Sequence, residues 1–299
     1  MVATVPPELL RPYRVDWEHD VFSDTRKALG ISYDDALDVN KPCSTDDSLA
    51  DRTIFWPGCT FSSYSQELTD VVFEFLRERG WASKMSAHCC GHILEFVAPT
   101  EDRQIYQGAL SEQLQDLGIC RIITACPNCY YSFDRLIKAG TLPGVEIVAL
   151  SEVLLSEGMR FSPQEHPECS SVCFHDSCPD RLYGRFAEPA RALFEAAEVR
   201  EMEHSCKSSR CCGLGYLLYL RKPERSAIMA QERIIEFLDT GADCLVTYCV
   251  NCASAFYDPN GTIPVYYYLE LLFGVRIDWL SAFQAVADVR ELLMAEDSH

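Results

Sequence analysis

Ten cysteines of this 299-residue chain fall into two copies of one layout: a single Cys, an adjacent pair followed by Gly, then a C-x-x-C. The first copy is Cys59, Cys89–Cys90–Gly91 and Cys126-Pro-Asn-Cys129. The second is Cys178, Cys211–Cys212–Gly213 and Cys249-Val-Asn-Cys252. The offsets are 119 residues from Cys59 to Cys178, 122 from Cys89 to Cys211, and 123 from Cys126 to Cys249. Scattered structural cysteines would not repeat in register. A lone C-x-x-C is a weak signal, since a thioredoxin-type redox pair has the same spacing. Vicinal cysteines rarely bond each other, because the ring so formed strains the peptide between them. Structural zinc takes four ligands, commonly as two short-spaced pairs. Five soft thiols per copy, with one short pair each, fit a cluster of several irons better than zinc or disulfides.

These cysteines must be positioned by the elements around them. Thr53-Ile-Phe-Trp56 is a short apolar run leading into Cys59, and Cys120 to Ala125 is a β-branched run leading into Cys126. Between them, Leu68, Val71, Val72, Phe75 and Leu76 recur at helical spacing from Ser65 to Gly80, and a second helix is expected from Glu101 to Leu117. Tyr130 to Lys138 then starts a helix and Val145 to Ala149 a strand. The second copy repeats the order. Ser171 to Phe174 is a strand, Ala187 to Ala197 a helix, and Cys244 to Tyr248 a strand running into Cys249. Pro223 to Thr240 is a longer helix, with Ile228, Ile234, Ile235 and Leu238 on its expected apolar side. Alternating strands and helices predict an α/β fold of small parallel sheets flanked by helices. Ligands in such sheets sit at the carboxyl ends of strands, where Cys59, Cys126, Cys178 and Cys249 all fall. The expected division is an acidic extension over residues 1–52, a first domain over 53–165, and a second over 166–299 ending in a short helical tail. The polar, proline-containing stretch Ser162 to Glu168 reads as the linker.

At these cysteines the chain resembles the CCG family, named for its Cys-Cys-Gly motif, which includes the disulfide-cleaving component of heterodisulfide reductase and related iron–sulfur subunits. The resemblance covers about residues 53–280. It implies two homologous CCG domains related by a pseudo-twofold, each five-cysteine set holding a non-cubane 4Fe-4S cluster. One set would be Cys59, Cys89, Cys90, Cys126 and Cys129; the other Cys178, Cys211, Cys212, Cys249 and Cys252. It further implies an oxidoreductase subunit that cleaves or forms a disulfide, its small-molecule substrate being a thiol or disulfide. Electrons would be exchanged with a ferredoxin-type iron–sulfur subunit, a flavin-containing subunit, or both. A second reading is an electron-transfer subunit without its own substrate.

Disulfide reduction consumes protons, and histidine is the usual donor near neutral pH. Four histidines lie near the motifs, His88, His92, His175 and His204, and of these His88 and His175 are the expected catalytic residues. Lys207 and Arg210 could offset cluster charge, or be solvated loop residues. Asn128 and Asn251 recur inside both C-x-x-C motifs, where left-handed backbone would explain Asn. Of the other cysteines, Cys120, Cys173 and Cys244 are expected in the core, Cys43 and Cys169 on the surface, and Cys206 as a spare ligand or a bystander.

The formal charge of −19 argues against nucleic acid, which needs a concentrated basic face. No run approaches the length of a membrane span and no signal-peptide pattern opens the chain, so a reducing cytoplasm is the expected location. No ferredoxin-type cysteine run, G-x-G-x-x-G after a strand, or Walker motif is present. Electrons are therefore expected to come from another subunit.

Overall fold

A computed structural model describes residues 47–86, 88–97, 100–215 and 218–283. The expected extension over residues 1–52, apart from its last few residues, and Cys43 lie outside the described residues, as does the end of the tail. The described residues form two compact units. One comprises 47–124, 128–148 and 277–283; the other comprises 125–127 and 149–276. The division falls at Ala149, ahead of the Ser162–Glu168 stretch, because the helix Leu150–Ser156 packs on the helix Ala187–Leu193.

In the first unit the order is β1 (Thr53–Trp56), α1 (Cys59–Tyr64), α2 (Gln66–Glu78), β2 (Lys84–Met85), α3 (Leu94–Val97), α4 (Thr100–Asp116), β3 (Arg121–Thr124), α5 (Pro127–Lys138) and β4 (Glu146–Ala149). The strands lie in the order β2-β1-β3-β4. β1 pairs in parallel with both β2 and β3, Ile54 opposite Lys84 and Ile122. All four residues of β1 are buried, as expected for a central strand covered on both faces.

The α2 helix shows how sequence produces this layer. Ser65 accepts a hydrogen bond from the Leu68 amide at 3.2 Å, an N-cap worth about 1 kcal/mol. Leu68, Val72 and Leu76 are fully buried, each contributing about 1.5–3 kcal/mol. Val71, expected on the same stripe, sits at its edge and is 37% exposed.

The second unit repeats the plan with α6 (Leu150–Ser156), β5 (Ser171–His175), α7 (Ala187–Leu193), β6 (Glu198–Val199), α8 (Leu218–Arg221), α9 (Pro223–Thr240), β7 (Cys244–Thr247), α10 (Val250–Phe256), β8 (Val265–Tyr267) and α11 (Tyr268–Phe273). Its sheet order is β6-β5-β7-β8, and every adjacent pair is parallel. β5 is buried along its whole length. Each unit is therefore a four-stranded parallel sheet in which the chain leaves the first strand to one side and returns on the other. That reversal creates a crevice at the carboxyl ends of the two central strands.

The α9 helix departs from expectation. Ile228, Ile235 and Leu238 are about half exposed, while Ser226, Arg233 and Phe237 are buried. Phe237, with Ala230 and Ile234 beside it, packs on the core of this unit, while Ser226 and Arg233 turn inward where the same face meets Gly213 and His175.

Candidate metal centre

Both copies place their cysteines at that crevice by the same local devices. Cys59 opens α1 directly after β1, and Cys178 follows β5. Each C-x-x-C straddles a strand-to-helix junction. Cys126 follows β3, with Cys129 in the first turn of α5; Cys249 is the N-cap of α10, with Cys252 in its first turn. Asn128 and Asn251 are therefore helical. The only non-glycine residue with positive φ among those described is Cys206, so the left-handed role expected of these asparagines is not used. The chain enters the helix at once and needs no such turn.

The Cys-Cys-Gly motif has a physical reason for each residue. Gly91 has φ +77° and Gly213 φ +89°, the left-handed region. The bend lets the glycine N–H donate back to the first sulfur of the pair: Gly91 to Cys89 Sγ at 3.4 Å, Gly213 to Cys211 Sγ at 3.3 Å. A Cβ on Gly213 would lie 2.5 Å from the Ser226 carbonyl oxygen and 3.1 Å from Met229 Cβ, both on α9. A Cβ on Gly91 would lie 2.8 Å from the ring of Tyr106. Side chains of the covering helices also fix the motif backbone. Tyr106 Oη donates to the Cys89 carbonyl at 2.6 Å, Ser132 Oγ to that of Cys90 at 3.3 Å, and Ser226 Oγ to that of Gly213 at 2.8 Å.

In the second unit the five predicted sulfurs form one contiguous set. The Cys211 side chain is hydrogen-bonded to those of Cys178 and Cys212, Cys212 to Cys252, and Cys252 to Cys249. Two members of this chain, Cys211 and Cys249, are held low and the other three are pushed up. Hydrogen bonds from Cys178 and Cys212 pull Cys211 down to about 2. The bond from Cys252, joined by the first-turn amides of Cys252 and Asn251, holds Cys249 low. Cys178, Cys212 and Cys252, each giving its proton to a neighbour, are pushed up, and burial adds to this. Five thiolates cannot share so small a space without a compensating positive charge. A polynuclear cation would supply that charge, and the soft donor set suits iron. The residues of this site fit an iron–sulfur centre.

In the first unit Cys89, Cys90 and Cys129 are buried and Cys59 half-buried, and Cys126 is also half-buried. All fifteen described cysteines are free thiols. Cys173 and Cys244 lie in the core as expected, and Cys120 is half-buried beside β3. Cys169, expected at the surface, is fully buried instead, its side chain hydrogen-bonded to that of Cys244. The short 3-10 turn Pro167–Cys169 tucks it beneath the start of β5. Cys206 is exposed.

His175 ends β5 and is wholly buried, and one of its ring nitrogens lies within 4.8 Å of the sulfurs of Cys212 and Cys252. Burial, reinforced by the Arg233 guanidinium, pushes it down to about 3. Its surroundings thus favour the neutral imidazole over the charged form. His88 is half-buried, and its backbone N–H donates to Ser86 Oγ at 3.3 Å. His92 is held low by burial, beside Glu95 and Arg135. His204 and Arg210 both face Glu236, at 3.1 and 3.6 Å.

Two groups of residues were not anticipated. Asp176 accepts a fork from Arg191 at 2.7 and 2.9 Å, the Cys206 amide at 2.6 Å and Tyr248 Oη at 3.3 Å. Burial opposes its charge, but the Arg191 fork prevails and keeps the carboxyl below its usual range. This carboxylate pins the segment leading into Cys178 to that leading into Cys211. The second group is Arg233 with Glu236, behind His175. A charged residue at the centre of the Ala230, Arg233, Ile234, Phe237 stripe of α9 was the sequence signal for it.

The family profile described as "Cysteine-rich domain" (CCG) matches residues 53–134 and 172–257, together more than half of the chain. The chain belongs to this family, with two copies of its domain. Among curated relatives is a component of the dihydromethanophenazine:CoB–CoM heterodisulfide reductase of Methanosarcina barkeri. It is 24% identical over 222 residues, covering 67% of this chain and 52% of that protein. The corresponding component in Methanosarcina acetivorans is 24% identical over 235 residues, covering 73% and 57%. An uncharacterized iron–sulfur protein of Methanocaldococcus jannaschii is 21% identical over 204 residues, covering 67% and 40%. The chain thus spans about half the length of these relatives. A hypothetical protein from Helicobacter pylori of solved structure aligns at 14% identity with a TM-score of 0.49, covering 90% of this chain and 56% of that one. Among the described residues no helix is long and apolar enough to cross a membrane.

Proposed function

We propose that this chain is an iron–sulfur oxidoreductase subunit, heterodisulfide-reductase-like, acting on a thiol or disulfide within a larger redox complex. The observation that carries the reading is the contiguous set of five sulfurs at Cys178, Cys211, Cys212, Cys249 and Cys252. Cys59, Cys89, Cys90, Cys126 and Cys129 form the matching set of the first copy. Each set would hold a 4Fe-4S cluster, of the non-cubane type that the resemblance to the heterodisulfide reductase component implies. Such a cluster supplies the one-electron chemistry that side chains lack, and an iron site that takes sulfur.

The chain's own residues bind and shield. Buried Cys212, Cys249 and Cys252 form the floor of the second site, and half-buried Cys178 and Cys211 form its more accessible side. A substrate sulfur therefore approaches past Cys178 and Cys211. His175, neutral and buried, serves as a hydrogen-bond donor, and proton delivery falls to water or to another group. His88, half-buried and next to Cys89, is the candidate proton donor of the first set. Heterodisulfide reductase components among the relatives support a multi-subunit setting, with a ferredoxin-type or flavin-containing partner exchanging the electrons.

The test is electron paramagnetic resonance of the anaerobically prepared protein, poised at a series of potentials with and without a small thiol or disulfide. A new or shifted signal on adding the sulfur compound is expected. An unchanged spectrum at every potential would favour the second reading, an electron relay with no substrate of its own.

A further inference from the structure

The inner face of α9 carries a cation that the sulfur site does not need as a ligand. Arg233 is fully buried, and each of its three nitrogens has a separate partner. Nη1 donates to Glu236 Oε2 at 2.6 Å and Nε to His175 Nδ1 at 3.3 Å, and Nη2 lies against Met202 Sδ. Glu236 is its one carboxylate partner among the described residues, and that carboxylate also faces His204 and Arg210. A simple buried ion pair would not require the Nε contact.

That contact has a definite chemical consequence. A guanidinium nitrogen can only donate, so Nδ1 of His175 must be the bare acceptor. In a neutral imidazole the proton is then on Nε2. The ring plane is held as well, edge-on to Phe256 with centroids 4.7 Å apart. Nε2 is buried and has no hydrogen-bond partner among the described residues. An orphaned buried donor is rare and calls for an acceptor. The soft acceptors at hand are the sulfurs of Cys212 and Cys252, which lie within 4.8 Å of one of the ring nitrogens and of each other.

We propose that Arg233 is a positioning residue that locks His175 as the Nε2–H tautomer, so that this N–H donates to the sulfur layer at Cys212 and Cys252. The proposal rests on reading the second five-cysteine set as an iron–sulfur site. Hydrogen bonds to cluster sulfurs stabilise the more negative, reduced form and raise the reduction potential. The nearby guanidinium acts in the same sense. The pair therefore makes the second site a better electron acceptor than its five thiolates alone would.

The experiment uses the full chain, prepared anaerobically with ¹⁵N-labelled histidine, with iron content measured first for every variant. Reductive titration followed by paramagnetic resonance gives the midpoint potential, and pulsed hyperfine spectroscopy reads coupling to the histidine nitrogen. The wild type is expected to show one weakly coupled ¹⁵N, lost in His175→Phe. Arg233→Met, which has no donor, and His175→Phe are expected to lower the potential at unchanged iron content. Arg233→Lys, which retains a donor to Nδ1, recovers most of the shift, which a purely structural role would not predict. Should Arg233→Met not fold, His175→Phe and the wild-type coupling still decide. Iron-replete protein with no histidine coupling and equal potentials in both variants would overturn the proposal alone. Protein that takes up no iron would instead remove the cluster reading beneath it.

Discussion

Replacing Cys212 with alanine is expected to lower iron and acid-labile sulfide to about half the wild-type content, from about eight of each per chain to about four. Cys212 is the middle member of the sulfur chain, hydrogen-bonded to Cys211 on one side and Cys252 on the other. Removing it splits the set into two pairs that no longer adjoin. The thiol is buried but small, so the cavity left costs little and the fold is expected to persist. Metal and sulfide analysis beside circular dichroism separates loss of the centre from loss of the fold. The remaining signal belongs to the first set, whose cysteines are untouched. Unaltered iron content would show that Cys212 is not a ligand.

The second large effect is expected from Gly213→Ala. A left-handed backbone costs a non-glycine residue about 1–2 kcal/mol. The new methyl group must also displace the Ser226 carbonyl oxygen, 2.5 Å away, or shift the whole of α9. Overpacking of this kind typically costs about 1–3 kcal/mol more. Moving α9 also moves Arg233, so the variant is expected to lose both stability and the iron of the second site. Gly91→Ala is the informative control. It bears the same backbone penalty, but the obstacle there is the Tyr106 ring, a side chain that can turn aside. Thermal unfolding of the two variants should show a clearly larger drop in midpoint for Gly213→Ala. Equal drops would mean that the left-handed backbone alone sets the cost.

The repeated cysteine layout located the crevice from sequence because strand ends and helix starts are short-range features, and the cysteines mark them directly. β1, β5 and α2 were legible through buried runs and helical periodicity. β2, β6 and β8 were not, since strands of two or three residues carry no period to detect. The inner face of α9 was misjudged for a different reason. Periodicity identifies the apolar side of a helix, and here Ile228, Ile235 and Leu238 face outward while Arg233 turns in toward His175. The asparagines of the C-x-x-C motifs were read as turn residues, although the chain is already helical there. Asp176 could not be recognised as a hub, because its partners Arg191, Cys206 and Tyr248 are brought together only by the fold.

Every functional step proposed for this chain depends on the two five-cysteine sets carrying iron and sulfide. Mössbauer spectroscopy of ⁵⁷Fe-enriched, anaerobically purified protein, with iron and acid-labile sulfide quantified per chain, tests that most directly. About eight irons and about eight sulfides, with iron in more than one environment within each cluster, is the predicted result. A pure, colourless protein holding one or two zinc ions and no sulfide would contradict it.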